Sequence, residues 1–180
     1  MNVVAASIAD VLIIEPKVFG DARGFFYESF NQKAFCKATR LDVNFVQDNH
    51  SRSAKGVLRG LHYQVAQPQG KLVRVVRGVV FDVSVDIRKT SATFGKWGGV
   101  ELSEDNQRQV WVPAGFAHGF VVISDQADVI YKTTDYYMPE LGRCIAWNDP
   151  VLDINWPFSG EPSLSEQDKA GCSWAQVEFF

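Results

Sequence analysis

The chain has 180 residues, of which 46% are hydrophobic and 22% are charged, a composition typical of a globular protein. This composition excludes a disordered or collagen-like chain, and the length predicts one domain over residues 1–180. The 18 Lys and Arg residues against 21 Asp and Glu residues give a net charge of −3. A nucleic-acid partner is not expected, because such proteins normally carry a basic excess.

Neither a signal peptide nor a membrane span is expected. Asp10 and Glu15 interrupt the N-terminal apolar stretch, which lacks a basic region before it. The three cysteines, Cys36, Cys144 and Cys172, are widely spaced and form no C-x-x-C pair, so free thiols are predicted. The predicted location is the cytoplasm.

Short strands dominate the pattern of apolar residues. Residues 31–39 are predicted as a helix that Asn31 caps, with Ala34 and Phe35 facing inward. Gly20 and Asp21 predict a turn after the first strand. The predicted strands, in chain order, cover residues 11–19, 25–30, 57–64, 72–76, 79–87, 100–102, 109–112, 120–123, 129–133 and 145–147.

Two features of the central strands are more specific. Arg77 and Gly78, between two predicted strands, are typical of a tight β-hairpin. Residues 81–87 alternate strictly between apolar and polar, which predicts a half-buried strand. Many short strands at a spacing of roughly 8 to 12 residues favour a sandwich, barrel or jelly roll.

The C-terminal segment 163–168 predicts the start of a helix. Ser163 and Glu166 have the spacing of a capping box, and Ser165 and Asp168 have it in a less ideal form. One interpretation of Asp168 is that it serves this helix start and nothing else. Residues 177–180 are apolar and are expected to pack against the fold.

His62 and His118 are the histidines in strongly patterned segments. In an extended strand Gly60, His62 and Gln64 share one face, so His62 is either a structural residue or a general base. His118 completes P-x-G-x-x-H at 113–118, which resembles the second cupin motif. The first motif needs H-x-H, but this chain has His-Tyr-Gln at 62–64. A mononuclear metal site would therefore lack ligands, and a barrel without metal is predicted.

A group of basic residues lies among aromatic residues and glycines: Arg23, Arg59, Lys71 and Arg74. They form either a solvated face or a site for a diphosphate, whose oxygens match the arginine fork. One interpretation of Tyr131, which lies in an apolar strand, is a sheet tyrosine with a satisfied hydroxyl.

Taken together, these segments resemble one family, the dTDP-4-dehydrorhamnose 3,5-epimerases of the cupin superfamily. The resemblance covers nearly the whole chain and implies a mainly β, cupin-type jelly-roll barrel with a few short helices. The matching segments are FGDARGFF at 19–26, FVQDNHS at 45–51, GVLRGLHYQ at 56–64, QGKLV at 69–73, PAGFAHGF at 113–120, YKTTD at 131–135 and LSEQD at 164–168.

The resemblance implies a reaction. It is the epimerisation, through enolates, of dTDP-4-dehydro-6-deoxy-D-glucose at carbons 3 and 5 in dTDP-L-rhamnose biosynthesis, without a metal or cofactor. The resemblance assigns the base to His62, its carboxylate partner to Asp168 and the opposing acid to Tyr131. Lys71 would place a positive charge near the enolate oxygen.

The resemblance also implies a homodimer and a set of binding residues. Arg23 and Glu28 would reach the nucleotide of the neighbouring subunit, and Tyr137 would stack on thymine. The full set of implied substrate-binding residues is Phe19, Arg23, Glu28, Gln47, Asn49, Arg59, His118 and Tyr137.

Two positions depart from the family pattern. Family members often carry an acidic residue before Arg143 and a lysine before Asp168, where this chain has Gly142 and Gln167. We interpret the departures as the joint loss of an opposite-charge pair near the nucleotide.

Three other functions fit parts of the sequence. A monospecific 3- or 5-epimerase of a related dTDP-4-keto-6-deoxy sugar could keep the same catalytic residues. A non-catalytic cupin that binds a sugar nucleotide is disfavoured by the complete set of His62, Lys71, Tyr131 and Asp168. A metal-dependent cupin oxygenase or isomerase would need a bound metal.

Overall fold

The structure, a computed structural model, describes all 180 residues from Met1 to Phe180. Short antiparallel strands dominate it, as the sequence predicts. The strands are β1 (Asn2–Ala5), β2 (Leu12–Glu15), β3 (Phe19–Asp21), β4 (Gly24–Phe26), β5 (Gln47–Ala54), β6 (Leu58–Gln64), β7 (Lys71–Arg77), β8 (Val79–Asp86), β9 (Trp97–Ser103), β10 (Gln109–Val112), β11 (Phe116–Val122), β12 (Gln126–Thr133) and β13 (Gly142–Cys144). The helices are α1 (Gln32–Thr39), α2 (Glu166–Lys169) and 3₁₀ turns at Pro139–Leu141 and Trp174–Gln176.

Two sheets form the walls of a jelly-roll barrel. The first has six strands in the order β1-β2-β10-β7-β12-β5, and the second has five in the order β13-β6-β11-β8-β9. All strand pairs within them are antiparallel. The mainly β, cupin-type jelly roll that the family resemblance implies is confirmed.

The prediction of a β-hairpin at Arg77 and Gly78 is wrong. β7 lies in the six-stranded sheet and β8 in the five-stranded sheet, so the chain crosses from one wall of the barrel to the other at this turn. Gly78 has a φ of 75°, and a Cβ on it would lie 2.0 Å from the carbonyl oxygen of Gln126. The turn is tight, as the dipeptide indicates, but the strands it joins do not pair.

The prediction that the strand at 81–87 is half-buried is also wrong, because other parts of the protein cover both faces of β8. Val80 belongs to an apolar cluster between the sheets. Val83 and Val85 belong to a second cluster on the outer face, under the C-terminal segment. Asp82 has only 1% of its surface exposed. The polar members of the alternation therefore face the barrel interior rather than water.

The N-terminal predictions are confirmed in part. Asn31 caps α1 by accepting a hydrogen bond of 3.0 Å from the backbone N–H of Ala34, and Phe35 is fully buried. The turn predicted at Gly20–Asp21 lies later, because those residues belong to β3. There the Asp21 carboxylate accepts from the N–H of Arg23 at 2.8 Å, which fixes the turn to β4.

The C-terminal helix begins at the less ideal of the two predicted capping boxes. Ser165, not Ser163, is the N-cap of α2, and its reciprocal partner is Asp168. Val177 is buried in the outer cluster, as expected for the apolar C-terminus. None of the helices has the length and apolar character needed to cross a bilayer.

Candidate active site

Part of the barrel interior is polar and hollow. An inner chamber is lined by Ser51, Arg59, His62, Lys71, His118, Gly119, Phe120 and Tyr131. An outer chamber is lined by His62, Tyr63, Gln64, Pro68, Gln69, Lys71, Gly115, Phe116, Tyr131, Tyr137, Gly142, Arg143 and Gln167. His62, Lys71 and Tyr131 line both chambers, so these three side chains lie where the chambers meet.

His62 and Asp168 form a hydrogen-bonded pair at this junction. His62 Nε2 lies 2.7 Å from Asp168 Oδ1. The side chain of His62 is 35% exposed, whereas that of Asp168 is 3% exposed. The carboxylate thus holds Nε2 on the side of the ring away from the chambers. Nδ1 has no hydrogen-bond partner in the protein, so it is free to accept a proton.

The helix cap that presents Asp168 also sets its charge. Oδ2 accepts from the Ser165 hydroxyl at 2.6 Å, and Oδ1 accepts from the backbone N–H of Gly60 at 3.1 Å. Burial acts to raise the pKa of Asp168, but the hydrogen bonds from His62, Ser165 and Gly60 outweigh it and lower the pKa to about 2. The carboxylate is therefore ionised at neutral pH. The same carboxylate caps α2 through Ser165 and binds the imidazole of His62.

Gly60 is required by the close approach of β6 to β11. Its φ is 128°, and a Cβ on it would lie 2.5 Å from the Cα of Gly119. Any side chain at Gly60 would push the strands apart. Because β6 carries His62 and β11 carries His118, the glycine fixes the spacing of the two histidines.

A second histidine–carboxylate pair lies deeper in the barrel. His118 Nε2 is 2.8 Å from Asp82 Oδ2, and both side chains are buried. Lys71 is also buried, and its Nζ donates to the carbonyl oxygen of His62 at 3.3 Å. Burial lowers the pKa of Lys71 to about 8, while the charge of Asp82 acts to raise it. Asp82 thus holds a histidine and supports a buried ammonium.

Tyr131 reaches the chambers from the opposite wall to His62, because β12 and β6 belong to different sheets. Burial raises the pKa of its phenol, with Arg59 opposing and Tyr137 adding to the shift. Tyr131 is therefore neutral at physiological pH and can donate a proton.

The inner chamber also presents polar groups available to a ligand. The Ser51 hydroxyl is buried without a hydrogen-bond partner, which is unfavourable unless a ligand or water satisfies it. The guanidinium of Arg59 donates to the Ser53 hydroxyl at 3.0 Å through Nε alone. Its terminal nitrogens remain available for an anion.

The predicted thymine-stacking residue, Tyr137, lies at the mouth of the outer chamber. It is 52% exposed, and its N–H donates to the Gln47 side chain at 3.0 Å. Gln47 in turn donates to Asn49 at 2.9 Å, and Asn49 pairs with Tyr131 across the β5–β12 ladder. These predicted binding residues are thus connected to the chambers by contacts within the sheet.

The structure does not bring Phe19, Arg23 or Glu28 to the chambers of the same chain. Phe19 and Arg23 lie in the β3–β4 hairpin, where Arg23 pairs with Asp21 and is 89% exposed at its side chain. Glu28 follows the hairpin and accepts from Asn31 at 3.2 Å.

Sequence reasoning missed Asp82, Ser51 and the part that Ser165 plays in holding Asp168. Asp82 carried a signal, since a carboxylate in a strand flanked on both sides by apolar strands must be paired. The strict alternation of 81–87 by itself predicts that one face of the strand is in water, and that prediction places Asp82 at the surface. Ser51 carried no signal beyond its place in the segment that includes Gln47 and Asn49.

The comparisons with known proteins show which family the chain resembles. The family model described as dTDP-4-dehydrorhamnose 3,5-epimerase matches residues 5–176. The chain is 59% identical over 180 residues to the dTDP-4-dehydrorhamnose 3,5-epimerase of Pseudomonas aeruginosa, covering 100% of this chain and 99% of that protein.

Two solved structures are similar to this one over nearly the whole chain. One is the dTDP-6-deoxy-D-glucose-3,5-epimerase of Legionella pneumophila in complex with dTDP-4-keto-L-rhamnose, with a TM-score of 0.95, 54% identity and coverage of 98% of this chain and 94% of that chain. The other is a 3′-monoepimerase from Streptomyces bikiniensis in complex with dTDP-quinovose, with a TM-score of 0.90, 34% identity and coverage of 99% and 89%. By the extent of the family match and the identity to full-length relatives, the chain belongs to the dTDP-4-dehydrorhamnose 3,5-epimerase family.

Proposed function

We propose that the protein inverts carbons 3 and 5 of dTDP-4-dehydro-6-deoxy-D-glucose and forms dTDP-4-dehydro-L-rhamnose. The observation that carries the proposal is the His62–Asp168 pair on one wall of the chambers with a neutral Tyr131 on the other. A base and an acid on opposite sides of one cavity are what an epimerisation by proton removal and return requires.

The first step is proton removal by His62. The ketone at carbon 4 acidifies the protons on carbons 3 and 5, and Nδ1 of His62 accepts one of them. Asp168 is ionised and hydrogen bonded to Nε2, so it fixes the tautomer of the ring and stabilises the imidazolium that forms.

The enolate that results carries its charge on the oxygen at carbon 4. Lys71 lies at the junction of the chambers, beside the backbone of His62, and its ammonium would lie close to that oxygen. A buried charge that is already in place stabilises the enolate without reorganisation, which is commonly the largest catalytic contribution.

Inversion then requires a proton on the other face of the sugar. Tyr131 approaches from the opposite sheet and is protonated at neutral pH because burial raises its pKa. It can give its proton to the carbon and recover one from water. The imidazolium of His62 releases to water the proton that it removed, so both groups are restored for the second carbon. No cofactor takes part in these steps.

The remaining polar residues fit the other parts of the substrate. Arg59 offers free guanidinium nitrogens to a diphosphate, His118 and Ser51 offer hydrogen bonds to sugar hydroxyls, and the exposed ring of Tyr137 offers a face to the base.

A monospecific epimerase is the second candidate, since the Streptomyces bikiniensis 3′-monoepimerase shares the fold. The higher identity to 3,5-epimerases, 59% against 34%, supports inversion at both carbons.

Proton NMR with dTDP-4-keto-6-deoxyglucose in deuterated water, without added metal, tests the proposal. We expect deuterium at both carbon 3 and carbon 5, with the L-lyxo keto sugar trapped by a reductase. Exchange and inversion at one carbon would establish a monospecific enzyme. No exchange at either carbon while the nucleotide still binds would indicate a binding protein.

Gly142 and Gln167, the two departures from the family pattern, both line the outer chamber. We expect the double variant Gly142→Glu/Gln167→Lys to bind dTDP about 2- to 5-fold more tightly, because a partly exposed charge pair contributes up to about 1 kcal/mol. Calorimetric titration of the double and single variants measures this. Equal affinity in all of them would show that the departures are neutral.

We also propose that the protein is a homodimer whose N-terminal hairpin covers the partner. The hairpin exposes apolar rings, with Phe25 65% and Phe26 72% exposed, an arrangement typical of an interface. Phe19 and Arg23 lie on the same hairpin and do not reach the chambers of their own chain. A dimer would let them and Glu28 complete the site of the partner.

Gel filtration tests the dimer. We expect the wild type to elute with the mass of two chains, and Phe25→Ser/Phe26→Ser to elute as a monomer with reduced turnover, because burial of two phenyl rings is lost. Val151→Ser is the matched control, since Val151 is 68% exposed outside the hairpin. A wild-type monomer with full turnover would contradict the proposal.

Two further points remain predictions. Residues 1–180 form one domain, which is supported by the apolar cluster that both sheets share. A cytoplasmic location is supported by the three free thiols.

A further inference from the structure

A thiol that the proposed reaction does not use lies beside the catalytic pair. Cys144 on β13 is directly opposite His62 on β6 in the strand ladder. Its Sγ is 4.0 Å from Asp168 Oδ1, the same oxygen that His62 Nε2 approaches at 2.7 Å. The three ligand atoms all lie within 4.8 Å of one another.

We propose that His62, Cys144 and Asp168 form an inhibitory site for Zn²⁺. Imidazole nitrogen, thiolate sulfur and carboxylate oxygen are the donors that zinc takes, and tetrahedral coordination places such atoms about 3.4–3.6 Å apart. The observed separations of 2.7 Å and 4.0 Å lie on either side of this value. To form a tetrahedral site, Nε2 and Oδ1 would move apart and Sγ would move towards them.

Only His62 of the three residues lines the chambers, and its side chain is 35% exposed, whereas that of Asp168 is 3% exposed. An ion that enters where the substrate does would therefore have to pass the His62 ring to reach the other two ligands. A water molecule from the chambers would take the fourth position, as it does where three protein ligands hold zinc.

Binding of the ion would prevent His62 from acting as a base. Zn²⁺ would take the lone pair of Nε2, and the single proton of the neutral ring would then reside on Nδ1, the atom that accepts the substrate proton. The Cys144 thiol would release one proton to solvent. Cys144 lines neither chamber, and burial and the Asp168 carboxylate raise the pKa of its thiol, so the proposed reaction does not use it.

The inhibitory effect rests on the proposed role of His62, whereas the binding of metal does not. Binding and inhibition are therefore measured by two separate experiments. The first is the absorption spectrum of the chelator-treated protein with Co²⁺, which needs no turnover. We expect a thiolate-to-cobalt charge-transfer band in the wild type and in Cys172→Ala, and its loss in Cys144→Ala. Cys172 is the matched control because it is a half-buried thiol outside the cluster.

The second measurement is turnover during titration with ZnCl₂. We expect reversible inhibition of the wild type that a chelator relieves, and a Zn²⁺ concentration for half inhibition at least about 10-fold higher in Cys144→Ala with unchanged metal-free turnover. Cys144→Ser, which is closer in size, replaces the alanine variant if that variant does not fold. Absence of the cobalt band in the wild type, or equal zinc sensitivity of the cysteine variants, would overturn the site.

Discussion

Replacing His62 by alanine is expected to lower kcat by about 10³-fold, because a positioned general base commonly contributes between about 10² and 10⁴. The affinity for dTDP should change little, since the ring faces the sugar at the junction of the chambers rather than the nucleotide. Deuterium exchange at carbons 3 and 5 should fall together, because one imidazole serves both carbons. Steady-state kinetics, calorimetry and NMR exchange measure the three quantities.

His50→Ala is the matched control for this variant. His50 lies on β5, is 56% exposed and approaches Asp128 at 3.5 Å, outside both chambers. Its loss should leave kcat unchanged. A large loss of dTDP affinity in His62→Ala would instead assign His62 to substrate binding. Exchange lost at one carbon only would show that a second base serves the other.

The fold was predictable because its signals are local. Alternating apolar residues and turn residues define the strands, and the Asn31 cap defines the start of α1. The partners of the strands were not predictable in the same way. The turn at Arg77 and Gly78 looks the same in sequence whether β7 and β8 pair or belong to opposite walls, because only long-range contacts decide between the two.

The candidate site shows a similar division. His62 and Asp168 are 106 residues apart, so no local pattern can show their contact, and it was the family resemblance that joined them. Ser165 illustrates the limit further, since its capping box with Asp168 was less ideal in sequence than the one at Ser163. The structure favours Ser165 because its hydroxyl supports a carboxylate that also binds His62. The C-terminal segment, distant in sequence, covers the outer face of β8 over Val83 and Val85. Asp82 lies on the other face, inside the barrel, where it pairs with His118.

The largest pH effect is expected from Asp82→Asn, a change that preserves shape and removes one buried negative charge. The cavity groups around Lys71 are Arg59, His62, His118 and Tyr131, and the Asp82 carboxylate acts to raise the pKa of Lys71 against burial. In the wild type, kcat/KM should therefore fall as the pH rises through about 8, where the ammonium loses its proton.

Without the Asp82 carboxylate, the charged form of Lys71 loses an attraction, so its pKa must move down. The alkaline limb of kcat/KM should shift to lower pH by on the order of one unit, and kcat at neutral pH should fall because fewer molecules carry the charge that stabilises the enolate. Asp128→Asn is the matched control, since Asp128 is a buried carboxylate that binds Arg52 at 2.7 Å outside the chambers. An alkaline limb that stays in place in Asp82→Asn would show that the Asp82 carboxylate does not control this limb. The positive charge on Lys71 would then depend on the substrate rather than on Asp82.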